Sequence, residues 1–326
     1  MIKWSLEELG LPTALRRGGE APGKSFRVYV DEAKDAAHAQ AEFFTTAPAS
    51  EVQKEFQEFL GVEHDDNSLE GFLLALDQLN ISSSLRAGLE MGFVHFWALM
   101  FMIQVPEILN IPAVSMATTS YPLPLLNPNV VGDYIRENRL ARFKALSVHL
   151  DPQMPAVAYV QAIEDAYPGK LYIHAHALWP DAAQVKAFLQ EINTSQVVFI
   201  AQPLATSNAA HMKILLEDRR VNWFVEEGLG NQELGPGMAA MYQGVSLSLM
   251  RAGGYFGLLR QIKSTQRLGL KIALDSGIST SLLAAAAMHL AHEVDYCEFG
   301  GFLWPHEEKD PCLDEDNGQV MFHYLQ

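Results

Sequence analysis

The sequence predicts an α/β protein in which a modified (β/α) TIM-type barrel follows an N-terminal α+β capping domain. From residue 140 onward, short apolar segments rich in β-forming residues recur about every 25 residues. Strands this short and evenly spaced favour a closed parallel barrel over an open sheet. No G-x-G-x-x-G follows a first strand, which argues against a dinucleotide-binding fold. The predicted strands are FKALSVHL (143–150), KLYIHA (170–175), VVFIA (197–201), VNWFV (221–225), VSLSLM (245–250), KIALDS (271–276) and VDYCEF (294–299).

Helix-like segments lie between these strands. DAAQVKAFLQEI (181–192) has apolar residues at 185, 188, 189 and 192, the spacing of one helix face. SNAAHMKILLEDRR (207–220) follows a similar pattern, and SLLAAAAMHLAHE (281–293) is rich in alanine, the best helix former. Strand and helix therefore alternate, as a parallel sheet requires.

Residues 1–120 have a different organisation and form the predicted capping domain, with residues 121–326 as the barrel domain. FRVYVDEAKDAAHAQAEFF predicts two strands around a turn, and EVQKEFQEFL and SLEGFLLALDQL predict helices. The stretch 122–134, PLPLLNPNVVGDY, is predicted to be a connector. The apolar run MGFVHFWALMFMIQV (91–105) is too short to span a bilayer, so a buried core helix is expected.

Composition narrows the classes of partner and location. The formal net charge of −16 disfavours a nucleic-acid or anionic-membrane partner, because both need a basic face. The two cysteines, Cys297 and Cys312, give no disulfide framework or cysteine-rich zinc cluster. The N-terminus carries charges early and has no apolar core of a signal peptide. We therefore expect a cytoplasmic protein that acts on a small molecule.

Histidines stand at two predicted strand ends, where barrel active sites converge. His174 and His176 in LYIHAHALWP are two residues apart, so a strand would point both toward one cavity. His149 and Glu226 stand at the ends of two other predicted strands. Imidazoles with one carboxylate suit zinc, iron or manganese, and a histidine near neutrality can also act as a base. Hydrogen-bonded polar filling of the barrel is the third interpretation.

Several strings, in order and spacing, resemble the enolase superfamily, its muconate-lactonizing subgroup, and within that the o-succinylbenzoate synthases. HAQAEFFTTAPAS resembles the segment after the first hairpin, and SLRAGLEMGF the helix that covers the barrel. LYIHAHALWPDAAQVKAFLQEI, VVFIAQPL and VNWFVEEGL resemble three consecutive barrel units. LPLLNPN, VSLSLMRAGG and GLKIALDSGISTSLLAAAAMHLA resemble the linker and two later units.

The resemblance implies a reaction and a set of positions for it. In that family a divalent metal, usually magnesium, stabilises the enediolate formed when a base removes an α-proton. The synthases dehydrate a cyclohexadiene carboxylate in menaquinone biosynthesis. The fourth-strand acidic ligand falls on Ala201, which has no donor group. The implied catalytic positions are Ser147, His149 and Ser248; the implied substrate contacts are Glu42, Ser276 and Ser279; and the metal positions are His174, His176 and Glu226.

Three functions remain open on these residues. The first is synthase-like magnesium-dependent dehydration, which makes the protein a lyase. The second is a transition-metal site built from the histidines and Glu226. The third is a non-catalytic homologue that binds a small-molecule carboxylate, because the ammonium and acidic groups that supply the main electrostatic stabilisation are replaced.

Overall fold

The N-terminal part is an antiparallel sheet covered by helices. In the computed structural model, β1 (Ile2–Leu9), β2 (Lys24–Glu32) and β3 (His38–Thr45) pair in that order. The alternating apolar residues of β2 are buried, as its period of two predicts. The helices that follow are α1 (Ala49–Leu60), α2 (Leu69–Asp77), α3 (Ser83–Phe101) and α4 (Val105–Leu109). The described residues are 2–10, 23–32, 38–63, 68–226, 234–278, 280–304 and 311–323.

Eight parallel strands form the nearly closed barrel that the spacing predicts. The barrel closes where the backbone N–H of Ser120 donates to the carbonyl of Cys297, at 3.0 Å between nitrogen and oxygen. All seven predicted strands are present, and each pairs in parallel with the next in sequence. The strands are β5 (Tyr121–Pro122), β6 (Ala145–His149), β7 (Lys170–His174), β8 (Val197–Ala201), β9 (Asn222–Val225), β10 (Gly244–Leu247), β11 (Lys271–Asp275) and β12 (Tyr296–Glu298).

The stretch predicted to be a connector, 122–134, is more structured than expected. It contains the end of β5 and most of the first barrel helix, α5, which begins at Pro128. Asn127 caps this helix by accepting a hydrogen bond from the Asn129 backbone, and proline suits the first helical position. The two residues of β5 are too few to show a strand period.

Helices surround the barrel, and a small sheet lies beside it. β4 (Met116–Thr118) pairs with the hairpin of β13 (Leu313–Asp316) and β14 (Gln319–Phe322). Among the described residues, no helix is long and apolar enough to cross a membrane. The helices after α4 are α5 (Pro128–Glu137), α6 (Ala156–Ala166), α7 (Ala182–Glu191), α8 (Ala209–Leu215), α9 (Pro236–Ala239), α10 (Leu249–Ala252), α11 (Tyr255–Arg267) and α12 (Ser281–Met288).

An aromatic layer fills the lower barrel interior and forms a floor for the strand ends. The rings of Phe199 and Phe224 stack with centroids 4.3 Å apart, and Tyr172 stacks on Phe199 at 4.9 Å. Tyr296 closes the layer from the last strand. Polar groups at the strand ends above this layer are thereby shielded from water on one side.

The capping helices and the barrel share one continuous core. Ala87 and Met91 of α3 pack in the same buried cluster as the barrel residues Leu249 and Tyr255. The predicted domain division at residue 120 agrees with the start of β5 at Tyr121 but stays a prediction.

An ion pair within α3 connects this helix to the start of α11. The Glu90 carboxylate accepts hydrogen bonds from Arg86 Nη1 at 2.8 Å and from the Phe256 backbone N–H at 2.9 Å. Burial raises the pKa of Glu90, although Arg86 and the Phe256 N–H oppose this. Arg86 also donates to the carbonyl of Gly253, which fixes the same turn.

Replacing Glu90 with glutamine will lower the free energy of unfolding by about 2–4 kcal/mol, because the Arg86 charge loses its buried carboxylate partner and keeps only the exposed Asp77. Urea denaturation measures this. The matched control is Glu58→Gln, which removes an exposed pair with Lys54 at 3.8 Å and should cost less than about 0.5 kcal/mol. Equal losses in the two variants contradict a structural role for Glu90.

Candidate functional site

The candidate site lies at the carboxyl ends of the barrel strands. His149 and His174 are the last residues of β6 and β7, and Glu226 directly follows β9. Glu298 is the last residue of β12, the last barrel strand in the sequence. All four side chains are buried. The fold therefore brings together three of the predicted residues and adds a second carboxylate.

His174 lies between the two carboxylates and contacts one with each ring nitrogen. Its Nδ1 is 2.9 Å from Glu226 Oε2, and its Nε2 is 3.0 Å from Glu298 Oε2. Carboxylates only accept hydrogen bonds, so this geometry requires both ring nitrogens to carry a proton. We call this arrangement the His174 clamp: His174, Glu226 and Glu298.

The electrostatics of the clamp agree with a charged imidazole. Burial alone would lower the pKa of His174, but the nearby charges of Glu226 and Glu298 raise it well above its ordinary value. Burial would raise the pKa of Glu226, yet His174 and then Arg251 hold it far below its usual range. Arg251 Nη2 lies 3.4 Å from Glu226 Oε1, and Ser246 Oγ lies 3.3 Å from the same oxygen.

Two further imidazoles, those of His149 and His176, lie above the clamp. The His149 ring stacks on His174, with centroids 4.3 Å apart and an interplanar angle of 5°. His149 Nδ1 is 3.0 Å from His176 Nε2, so one ring donates and the other accepts. Ser147 Oγ is 3.4 Å from His149 Nε2. A hydrogen-bonded series thus runs from the barrel interior to His176, which is half-buried.

His176 reaches this position by a route that its spacing did not predict. β7 ends at His174, and His176 has a positive φ of 48°, in the left-handed region. The strand therefore stops before His176, and strand alternation does not explain why its side chain lies near His149. A turn after the strand brings its ring to His149.

Ser248, the predicted catalytic position on the β10 segment, caps a helix in the structure, and its catalytic role stays a prediction. Ser248 is the N-cap of α10, and its side chain accepts from the Arg251 backbone N–H at 3.4 Å. Ser246, two residues earlier, is the serine that contacts Glu226. VSLSL places both serines on one strand face, so the sequence signal for Ser246 was present.

Two of the predicted substrate contacts, Glu42 and Ser276, lie near the end of β11 and the start of α12. Glu42 accepts a hydrogen bond from the Thr280 backbone N–H at 3.2 Å and another from the Thr280 hydroxyl, and it is buried. Its carboxylate therefore fixes the start of α12 from the capping domain. Ser276 is buried, and its hydroxyl lies 3.4 Å from the carbonyl oxygen of Glu298. Ser279 lies outside the described residues.

Two groups at the site were missed from the sequence, Glu298 and Arg251. Glu298 stands in the predicted strand VDYCEF, where alternation with Tyr296 directs it inward. Its Oε1 is buried and, among the described residues, has no hydrogen-bond partner. Arg251 follows the β10 strand, and its side chain is 29% exposed, so its guanidinium reaches the barrel mouth.

The donor set does not fit the divalent metal that the resemblance implies. Magnesium requires several hard oxygen ligands, and Ala201 provides none at its strand end. Both ring nitrogens of His174 are directed at carboxylates, so His174, His176 and Glu226 do not form the predicted ligand set in this arrangement. Gln202 uses its amide to accept from the Glu226 N–H and to donate to the Leu204 carbonyl. In the part of the chain that is described, no group of three or more His, Cys, Asp or Glu residues is arranged to hold a metal ion.

The barrel and its capping sheet have the same fold as solved structures of an enolase family member and of a mandelate racemase/muconate lactonizing enzyme. An enolase family member from Agrobacterium tumefaciens, with homology to dipeptide epimerases and with sodium and L-Ala-L-Glu bound, superposes with a TM-score of 0.78. It has 17% identity, and the match covers 99% of this chain and 98% of that one.

Two curated proteins are also similar to part of this chain. A hydrophobic dipeptide epimerase from Flavobacteria bacterium (strain MS024-2A) is 30% identical over 142 residues, which are 43% of this chain and 40% of that protein. An L-Ala-D/L-amino acid epimerase from Pedosphaera parvula (strain Ellin514) is 26% identical over 168 residues, 51% of this chain and 48% of that protein. The matched part thus spans less than half of either relative, and no family model matches the chain. These relatives give no support to the expected o-succinylbenzoate synthase subgroup, to a lyase activity or to menaquinone biosynthesis.

Replacing His174 with glutamine will lower the free energy of unfolding at neutral pH by about 3–5 kcal/mol, because two buried carboxylates lose the charge between them. A raised histidine pKa stabilises the fold below the unfolded value, and this stabilisation is lost as pH rises through the folded pKa. The lowered pKa of Glu226 acts oppositely, so its stabilisation is lost as pH falls.

The stability difference between wild type and His174→Gln should therefore be largest between the ordinary carboxyl pKa and the ordinary histidine pKa, and it should shrink as pH rises from there toward the raised pKa of His174. Denaturant titrations across pH, with a chelator present, measure it. His292→Gln, at an exposed position, is the control and should show no such profile. A difference that does not change with pH contradicts a charged His174.

Proposed function

We propose that this chain is an enolase-fold protein that binds a small carboxylate of the dipeptide class at the barrel mouth, without metal-dependent proton abstraction. The observation that carries this proposal is the His174 clamp. Its imidazole directs both nitrogens at Glu226 and Glu298, in the place where the resemblance puts a metal ligand. A cation already neutralises the carboxylates that would attract a divalent metal.

Arg251 and His176 supply the groups for recognising a carboxylate. Arg251 is partly exposed at the mouth, and a guanidinium offers five N–H donors in a planar fork. Within the described residues, its hydrogen bonds to Glu226 and Ser246 use Nη2, which leaves Nη1 for a ligand. The dipeptide class comes from three of the similar proteins: a hydrophobic dipeptide epimerase, an L-Ala-D/L-amino acid epimerase and a structure with L-Ala-L-Glu bound.

Metal-independent epimerisation is a second candidate, favoured by the His149–His176 contact at 3.0 Å. His149 stands where the resemblance places a lysine base. The charged His174 ring stacked beneath it opposes a second positive charge there, and a neutral imidazole is the form that accepts a proton. His176 would pass that proton toward solvent, and a proton from solvent would return to the opposite face of the α-carbon to complete the inversion.

Titration calorimetry with L-Ala-L-Glu, on protein treated with a chelator, tests the proposal. We expect saturable binding that Arg251→Gln weakens at least about tenfold, since a charge-assisted hydrogen bond to the carboxylate is lost. Arg267→Gln, an exposed arginine in the last turn of α11, is the control and should leave binding unchanged.

The outcomes separate the candidates. Deuterium incorporation at the α-carbon of the bound dipeptide in D₂O, abolished by His149→Gln, supports the second candidate instead. Binding that requires added Mg²⁺, or no binding of any dipeptide tested, overturns the proposal.

A further inference from the structure

The end of α3 and the residue that follows expose a run of large apolar side chains. The sequence predicted a buried core helix here, and residues up to Phe96 fit that prediction. Beyond them, the exposed fractions are 53% for Leu99, 57% for Phe101 and 93% for Met102. Met100 and Ile103 are exposed as well. We call residues 99–103 the α3 tip.

The backbone holds the α3 tip in a defined shape. Met102 ends the helix with a left-handed φ of 52°. The Ile103 N–H donates to the Ala98 carbonyl at 3.0 Å, and the Met102 N–H donates to the Leu99 carbonyl at 3.3 Å. This helix-ending pattern fixes the chain direction and leaves the Met102 side chain projecting into solvent.

An apolar cavity lies next to the α3 tip. It has a volume of about 310 Å³ and is bordered by α3, α12 and β14. His95 and Val105, which precede and follow the tip in sequence, both line it, so tip and cavity share one face. The other lining residues are Leu282, Ala285, Ala286, His289, Pro311, Cys312, Phe322 and His323.

The polar groups in this cavity are compatible with an apolar occupant. Burial lowers the pKa of His289 to about 3, so this ring is neutral at physiological pH. Its Nδ1 is buried and has no partner among the described residues, and its ring stacks on Phe322 at 5.0 Å between centroids. Both ring nitrogens of His95 already have protein partners, the Gln40 carbonyl and the Tyr255 hydroxyl, so His95 does not require a polar ligand.

The charge distribution selects the kind of partner. Residues 91–106 contain no charged side chain, although the chain as a whole carries −16. Two copies of so acidic a protein repel each other, so an uncharged face is where their association meets the least electrostatic opposition. The exposed part of the tip presents on the order of 500 Å² of apolar surface, the size that marks an interaction site.

We propose that two copies of this chain pair through this face, with Met102 of each copy seated in the apolar cavity of the other. The projection and the recess lie side by side on one surface, so a two-fold axis satisfies both at once and closes the assembly at a dimer. Methionine suits the contact, because its flexible thioether fills irregular cavities and packs favourably on aromatic rings such as Phe322.

A disulfide experiment tests the pairing directly, because the thiol of Cys312 lines the cavity. Met102→Cys places a second thiol where the partner's Cys312 would meet it. Under mild oxidation we expect a covalent dimer on non-reducing gels, and we expect Cys312→Ser in the same background to abolish it. Leu74→Cys, 56% exposed on α2, is the matched control and should remain monomeric on the gel.

Covalent dimer that forms equally with Leu74→Cys, or that persists without Cys312, overturns the proposed contact. Sedimentation of the untreated protein provides the second measurement. The 36.2-kDa chain should sediment as a dimer, and Met102→Asp should weaken association at least 100-fold while Leu74→Asp does not. A wild-type protein that is monomeric at 100 µM overturns the proposal. A monomer that floats with phosphatidylcholine vesicles also overturns it, because the tip would then be a membrane contact.

Discussion

The site depends on one interaction, the burial of a charged imidazole between two carboxylates. An uncompensated charge in the barrel interior would cost many kcal/mol, so none of the three groups is stable there alone. His174 provides two N–H donors in opposite directions, and Glu226 and Glu298 arrive from β9 and β12 at the right distance to accept them. The barrel geometry therefore makes these three positions interdependent.

The surroundings of the clamp follow from the same constraint. The aromatic floor below it excludes water, which strengthens the electrostatic attraction within the clamp. Arg251 and Ser246 add donors to Glu226 Oε1, and the His149 ring covers the upper face of His174. The cap contributes near the end of β11, where Glu42 fixes the start of α12. Any chemistry at this mouth would have to use imidazole and guanidinium groups, because Ala201 and His174 stand where the resemblance places acidic metal ligands.

The sequence predicted the barrel and the convergence of the histidines, because both follow from local signals. Strand spacing and period are short-range properties, and parallel strand ends meet at one edge of any such sheet. The contacts of His174 were not predictable, since its partner Glu298 is 124 residues away and no local pattern links them. The two-residue β5 was missed because it has no period. The helix-capping contact of Ser248 was not predicted, because β10 ends at Leu247, one residue earlier.

The charge of His174 is the central claim, and nitrogen NMR of its imidazole measures it most directly. With the protein labelled with ¹⁵N at histidine and the resonance assigned by His174→Gln, both ring nitrogens should show the shifts of a protonated imidazolium at neutral pH. Excess Mg²⁺ or Zn²⁺ should leave them unchanged. A neutral ring, or a nitrogen shift that moves in proportion to added metal, would contradict the account.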